Sequence, residues 1–301
     1  MTTEIRELVA QVNTARLKEH VRIVEGLRHC RRNYDLLEER ARFIELTLSD
    51  YGLRVESQPI SFKKRRYRNI IATLDGTDPG RKRLLLGAHY DSPRHSPGAD
   101  DNASGTAALL EAARILSRER PKRTMQLVAF TLEEPQTWTH IILRGSKRFV
   151  RQARKDGISY AAAIILECVG YASARSRSQI LPRMLRLPQL KTGDFLAIIA
   201  DYQSRELMKL VHRCARDWVP ELKTVPRAFP FRGYLLPQCR FSDHAPFWDH
   251  GFPALMLTDT AMFRNPNYHT AKDSGTTLDY EFLTAVTRCA VAAMAELGEL
   301  G

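Results

Sequence analysis

Apolar residues recur along this chain in two rhythms, and the switches between them mark out its elements. Within residues 1–50 the rhythm is helical: Leu37, Ala41, Ile44 and Leu48 share one face, and Gly52 closes the helix. Short strands follow at 54–60 and 67–74, then a turn at Asp75-Gly76-Thr77-Asp78-Pro79-Gly80. Apolar runs at 83–88, 125–131, 160–166, 195–200 and 252–258 read as buried strands. Between them lie helical patterns: one starting at Asn102 or Ala103 with Leu109, Ala112 and Leu116 inward, then 145–153 and 204–219. A closing helix at 278–297 turns Phe282, Val286, Cys289, Ala293 and Leu297 inward. Strand and helix alternating at this spacing predict an α/β fold with a mostly parallel, mixed central sheet and helices on both faces. Residues 172–193 form a long irregular excursion, with 184–190 a candidate lid, and 229–238 an aromatic loop. No repeat or linker divides the chain, so residues 1–301 are expected to form one domain with N-terminal helices.

Composition narrows the class only a little. The 301 residues are 44% hydrophobic and 27% charged, ordinary for a globular protein. No apolar run approaches the roughly 20 residues of a membrane span, and the N-terminus lacks the pattern of a secretory signal. The five cysteines are widely separated and form no C-x-x-C pair, as expected of reduced, packed thiols in a cytoplasmic protein. A net charge of +12 raises nucleic acid as a partner. Its densest run, Lys63-Lys64-Arg65-Arg66-Tyr67-Arg68, falls between two strands, where a basic hairpin tip discourages edge pairing. The expectation is a peptide substrate, with neither nucleic acid nor membrane as partner.

The chemistry gathers where strands end. His89-Tyr90-Asp91 follows the 83–88 run, so His89 and Asp91 point the same way at a strand's carboxyl end, where open α/β sheets bind ligands. Asp100-Asp101 precede a helix, a position that suits carboxylates for structural reasons alone. Glu133-Glu134 end the 125–131 strand, Glu167 ends 160–166, and His269 follows 252–258. Imidazole and carboxylate without thiolate suit zinc, manganese or cobalt. Five ligands exceed what one catalytic zinc takes from protein, so two ions sharing a carboxylate are expected. Of the adjacent Glu133 and Glu134, only one should bind metal, because neighbours on extended backbone face opposite ways.

His89-Tyr90-Asp91, Gly98-Ala99-Asp100-Asp101-Asn102-Ala103-Ser104-Gly105, Glu133-Glu134-Pro135, Ser242-Asp243-His244 and the Tyr268–Ser274 stretch, in this order, resemble the zinc-dependent exopeptidase family. That family contains bacterial leucyl aminopeptidases, glutamate carboxypeptidase and glutaminyl cyclases. The resemblance implies His89, Asp101, Glu134, Glu167 and His269 as ligands of two zinc ions, with Asp101 bridging them. It further implies Glu133 as general base and Asp91 as the residue orienting His89. Glu167 departs from the aminopeptidases, where this position is most often Asp. The activity implied is removal of an amino-terminal residue from peptides. The alternatives are a glutaminyl cyclase, a mono-zinc acyltransferase, or a non-catalytic relative.

Trp138, Arg232, Tyr234 and Asp243 are candidate substrate-site residues, with Phe229, Phe231 and Phe241 beside them. Aromatics there would favour a neutral or apolar first side chain, whereas Arg232 in the pocket would pair with a carboxylate. His95 reads as a solvated loop residue and His244 as a packing or capping one.

Overall fold

The computed structural model describes residues 2–135, 142–181 and 190–300. Three helices open the chain: α1 (Thr2–Ala10), α2 (Thr14–Val24) and α3 (Tyr34–Asp50). The expected face of α3 is wholly buried at Leu37, Ala41, Ile44 and Leu48, and Gly52 takes a left-handed φ of 80° just past its end. Strands β1 (Arg54–Phe62) and β2 (Arg65–Leu74) form the expected antiparallel hairpin. Its tip, Lys63-Lys64, takes positive φ at both residues, the twist that two-residue hairpins require.

The remaining strands are β3 (Arg83–His89), β4 (Met125–Phe130), β5 (Tyr160–Glu167), β6 (Leu196–Asp201), β7 (Thr224–Phe229) and β8 (Ala254–Thr258). The helices are α4 (Gly105–Leu116), α5 (Arg144–Lys155), α6 (Arg205–Trp218), α7 (Ala245–Asp249) and α8 (Tyr280–Gly298). All eight strands join one mixed sheet in the order β1-β2-β4-β3-β5-β8-β6-β7. Its centre, β4-β3-β5-β8, is parallel throughout, while β2 and β6 flank that centre antiparallel. Parallel strands buried on both faces read as continuous apolar runs, which is why these were visible in sequence.

Two cores sandwich the sheet. The larger joins Leu84, Leu86, Ala162 and Ile164 to α2, α3, α4, α6 and α8. The smaller packs Leu85, Val128 and Ile165 against Phe149 of α5 and Phe247 and Trp248 of α7. Helix α4 is more enclosed than its expected stripe implied, because Leu110, Ala113 and Ile115 are buried along with Leu109, Ala112 and Leu116. It lies between the sheet and the other helices of that layer, so no face meets water.

Three expectations need correction. The helix expected from Asn102 or Ala103 starts at Gly105, because residues 99–104 form an irregular turn with non-helical dihedrals at Asp101 and Asn102. Strand β7 was not expected; its half-buried, Pro-bearing sequence suits the edge position it occupies. Helix α7 is too short to show a period. Of the excursion, Ser173 and Gly193 pair across its base; the candidate lid, 184–190, lies outside the described residues apart from Leu190. No helix among the described residues is long and apolar enough to cross a membrane.

Candidate metal centre

The four parallel strands end along one edge, and the acidic and imidazole side chains collect there. His89 and Glu167 are the last residues of β3 and β5. Glu133 and Glu134 follow β4 after Leu132, whose left-handed φ of 56° turns the chain off the strand line. Both glutamates therefore line the same cleft, and the alternation expected of extended backbone does not apply. His269 reaches the edge from the loop after β8, with a φ of 60° and its ring stacked on Tyr268 at 3.9 Å between centroids.

Asp101 sits at the middle. His89 Nε2 lies 3.2 Å from its Oδ1 and His269 Nε2 lies 3.0 Å from its Oδ2. On the first side Glu167 Oε1 approaches His89 Nε2 at 3.3 Å, so the longer arm of Glu167 still reaches the centre. On the second side Glu134 Oε2 lies 3.7 Å from His269 Nε2. Two candidate ligand groups result, His89/Asp101/Glu167 and Asp101/Glu134/His269, each with donor atoms within 4.8 Å of one another, and Asp101 belongs to both. A further grouping of His89, Glu133 and Glu134 places the Glu133 carboxylate within the same small volume.

This donor set fits divalent cations. Three acidic ligands and Glu133 are buried within a few ångströms, and burial first, then mutual repulsion, drives the Glu134 carboxyl well above its ordinary range. Glu133 is raised likewise, by burial and by Glu167, Asp243 and Asp91, with His89 opposing. Burial disfavours the His89 imidazolium, yet Glu167, Glu133 and Asp101 outweigh it and raise its pKa. Burial also opposes ionisation of Asp101, but His269 and His89 hold it well below the usual carboxylate range. Such an excess of buried negative charge calls for positive ions, and two imidazoles with carboxylate oxygens suit zinc.

The sequence motifs are the supports of this centre. Gly98 takes φ 62°, and a Cβ there would stand 2.2 Å from the Asp101 carbonyl oxygen; at Gly105 it would stand 2.3 Å from Asn102 Oδ1. Asn102 and Asp100 staple the turn to the end of β5: Asn102 Nδ2 donates to the Leu166 carbonyl at 2.8 Å, and the Gly170 N–H donates to Asp100 Oδ1 at 2.9 Å. The Asp101–Asn102 peptide is cis. Asp273 receives the N–H groups of Asp100 and Asp101 at 2.9 and 3.2 Å. Asp91 receives those of Glu133 and Glu134 at 3.1 and 3.2 Å. Its distance to His89 Nδ1 is 3.7 Å, longer than a hydrogen bond, so its firmest hold is on the glutamate backbone. Ser242 Oγ donates to Glu167 Oε2 at 2.7 Å. Asp243 is wholly buried beside these groups, and burial pushes its carboxyl up to about 7. His244 packs edge-on to Trp248 and bonds the Cys239 carbonyl at 2.7 Å, as expected of a structural residue.

Sequence reasoning missed Arg28, which is fully buried between α2 and α3. Its guanidinium donates to the carbonyls of Tyr90, Gly26, Pro97 and Gly98, clamping the end of β3 to the turn that carries Asp101. Burial lowers its pKa to about 10, against the pull of Asp101, Asp273 and Asp91. No local signal marks an arginine outside any motif. Asp273 and Ser242 did lie in motifs, and only their partners were illegible.

The cleft holds a cavity of about 480 Å³ lined by Asp101, Glu133, Glu134, Glu167, Tyr268 and His269, with Ile142, Phe241 and Met262 at its rim. A smaller apolar pocket of about 90 Å³ adjoins it, sharing Glu167, Phe241, Met262 and Tyr268 and continuing to Ile199, Leu236, Met256 and Phe263. Of the expected substrate residues among those described, only Phe241 lines the cleft and this pocket. Arg232 and Tyr234 bond the carbonyl and carboxylate of Asp249 at 3.3 and 3.0 Å, away from the metal ligands. Phe231 is exposed, Phe229 packs in a small separate cluster, and His95 is exposed as expected. Trp138 lies outside the described residues.

Comparison with known proteins agrees with this geometry. The chain is 33% identical over 275 residues to the uncharacterized protein YfbL of Escherichia coli (strain K12), covering 84% of this chain and 78% of that one. A probable leucine aminopeptidase of Arthroderma otae is 28% identical over 261 residues, 82% of this chain, which spans only 60% of that relative's length. The Legionella pneumophila LapA aminopeptidase shares the fold at a TM-score of 0.77 and 20% identity, covering 98% of this chain and 75% of that one. Residues 69–294, which carry every candidate ligand and support described above except Arg28, match the model of peptidase family M28. This chain belongs to peptidase family M28.

Proposed function

We propose that this protein is a zinc-dependent aminopeptidase that removes single residues from the amino terminus of peptides. One observation carries the reading: Asp101 is common to two complete ligand groups, with the Glu133 carboxylate beside them. The leucine aminopeptidase and zinc metalloprotease names among its relatives support it.

His89, Asp101 and Glu167 would hold one ion, and Asp101, Glu134 and His269 the other. Zinc held there would supply Lewis acidity, polarising a scissile carbonyl and making a water more acidic. Glu133, beside both groups, would take a proton from the attacking water on a carboxylate oxygen and pass it to the leaving amine. Asp91 fixes the backbone that presents Glu133 and Glu134, Asp273 does the same for Asp101, and Ser242 fixes the carboxylate of Glu167. The apolar pocket bounded by Ile199, Phe241, Met256 and Met262 suits an apolar first side chain, with Phe241 retained from the aromatic set expected from sequence.

The test is turnover of leucine 4-nitroanilide and of a pentapeptide by the zinc-loaded protein, with the pentapeptide also supplied amino-acetylated or carboxy-amidated. Abolition by acetylation but not by amidation supports the reading. Abolition by amidation alone would make the enzyme a carboxypeptidase, and cyclisation of a Gln-peptide without hydrolysis would make it a glutaminyl cyclase.

A further inference from the structure

Just beyond the glutamate pair the chain returns to lie beside it. The Leu143 N–H donates to the Glu133 carbonyl and the Arg144 N–H to the Leu132 carbonyl, both at 2.9 Å. Helix α5 thus starts at the cleft, and its basic residues Arg144, Lys147, Arg148 and Arg151 recur at helical spacing along one side while Phe149, Val150 and Ala153 are buried. Those four side chains, with Pro59, Ile60 and Ser61 of β1 and with Ile142, line a cavity of about 400 Å³. Ile142 also lines the metal cleft, so the two spaces adjoin.

No acidic side chain lines this groove, and none of the four basic groups has an ion-pair partner among the described residues. Some surface arginines are matched, as in Arg68–Glu38, Arg81–Glu299 and Arg240–Asp249, and exposed ones such as Arg94, Arg118 and Arg120 stand singly, whereas here four cations share one groove. Among the described residues Lys147 Nζ reaches only the Ile142 carbonyl, at 3.2 Å, and Arg151 Nε only the Lys147 carbonyl, at 3.0 Å. Arg144 lies over the Phe62 ring at 4.4 Å, with its Nε buried and without a partner. Four cations sharing one groove without a carboxylate in its lining make a site for a carboxylate. In the strand order, the apolar pocket of β6 and β8 and this groove beside β1 lie on opposite sides of β4, β3 and β5, which bear the ligands.

We propose that this groove receives the part of the peptide beyond the scissile bond and binds a carboxylate there, either the peptide's own terminus or an Asp or Glu side chain. The inference rests on the aminopeptidase reading. Arg148 is one helical turn, about 6 Å, beyond Arg144, and two to three extended residues span roughly 7–10 Å. The preferred substrates are accordingly short peptides with an apolar first residue and a carboxylate two or three residues downstream.

The experiment compares zinc-loaded wild type with an Arg148→Gln/Arg151→Gln double variant. The substrates are Leu-Gly-Gly as free acid and as amide, Leu-Gly-Asp-amide, Leu-Gly-Lys-amide and leucine 4-nitroanilide. Wild type should favour the free acid, the Asp-amide or both over the plain amide by about three- to tenfold in kcat/KM, as a few solvent-accessible charge pairs provide. The difference should lie in KM, shrink in 0.5 M salt, and fall towards unity in the double variant. Preference for the free acid alone assigns the groove to the chain terminus, and preference for both assigns it to any carboxylate. Turnover of the anilide with equal rates for the free acid, the Asp-amide and the plain amide, or a preference that survives the double substitution, overturns the groove while leaving the aminopeptidase intact. No turnover of the anilide or of any peptide overturns the aminopeptidase reading itself.

Discussion

The carboxylate of Asp91 accepts the backbone N–H of Glu133 at 3.1 Å, and its other oxygen accepts the neighbouring amide of Glu134. One buried aspartate at the end of β3 thereby sets the position of both glutamates at the end of β4. Asp91→Asn retains the shape but keeps a single acceptor oxygen. It should lower kcat on leucine 4-nitroanilide and weaken binding of one zinc, each by about 10- to 100-fold. An unchanged kcat would show that the clamp does not position the glutamates.

Asp273 makes the matching pair of bonds to Asp100 and Asp101, and Asp101 belongs to both ligand groups. Asp273→Asn should therefore weaken both ions in a zinc titration of the apo-protein, whereas Asp91→Asn weakens mainly the one held by Glu134. Identical titration curves for the two variants would contradict the shared position of Asp101.

Elemental analysis after zinc loading should approach two equivalents per chain. His89→Ala should leave about one, since Asp101, Glu134 and His269 form a group without it. The fold should survive in circular dichroism, because the ligands lie at the end of the sheet and outside its two apolar cores. A wild-type value that stays at one with excess zinc would favour a mono-zinc enzyme.

Glu133→Gln should abolish turnover, by about 10²–10⁴-fold, with metal content nearly unchanged. Glu134→Gln should instead lower zinc occupancy. The reverse pattern would exchange the roles of the two residues.

His20 on α2 is buried with both ring nitrogens unbonded. Burial, reinforced by the charge of Arg16, lowers its pKa to about 4. The unfolded chain takes up this proton near pH 6.5, so between those values the unfolded state binds more protons and stability falls as pH falls. At pH 5 the loss is about 2 kcal/mol. Urea unfolding of His20→Leu should show its advantage over wild type growing by that amount between pH 7.5 and pH 5. A constant gap would remove His20 from the acid response.

What the sequence by itself determined is local. Apolar period and turn residues specify which segments become strands and helices, and side chains next to strand ends must lie at the sheet's edge. His89 and Glu167 were legible for that reason, and Asp101, Glu134 and His269 through motifs that keep their spacing. Only the tertiary structure decided that β4 inserts between β2 and β3, which brings Glu133 and Glu134 beside His89. It also decided that both glutamates face the cleft, because a left-handed Leu132 breaks the alternation. Arg28 could acquire its place, and Asp91 and Asp273 their backbone partners, only once distant segments had packed. Arg232 and Tyr234 went to Asp249 and left the pocket to Met256, Met262 and Ile199. Period and propensity act over a few residues, whereas a pocket wall is set by whichever distant segments pack closest, and no local pattern encodes that choice.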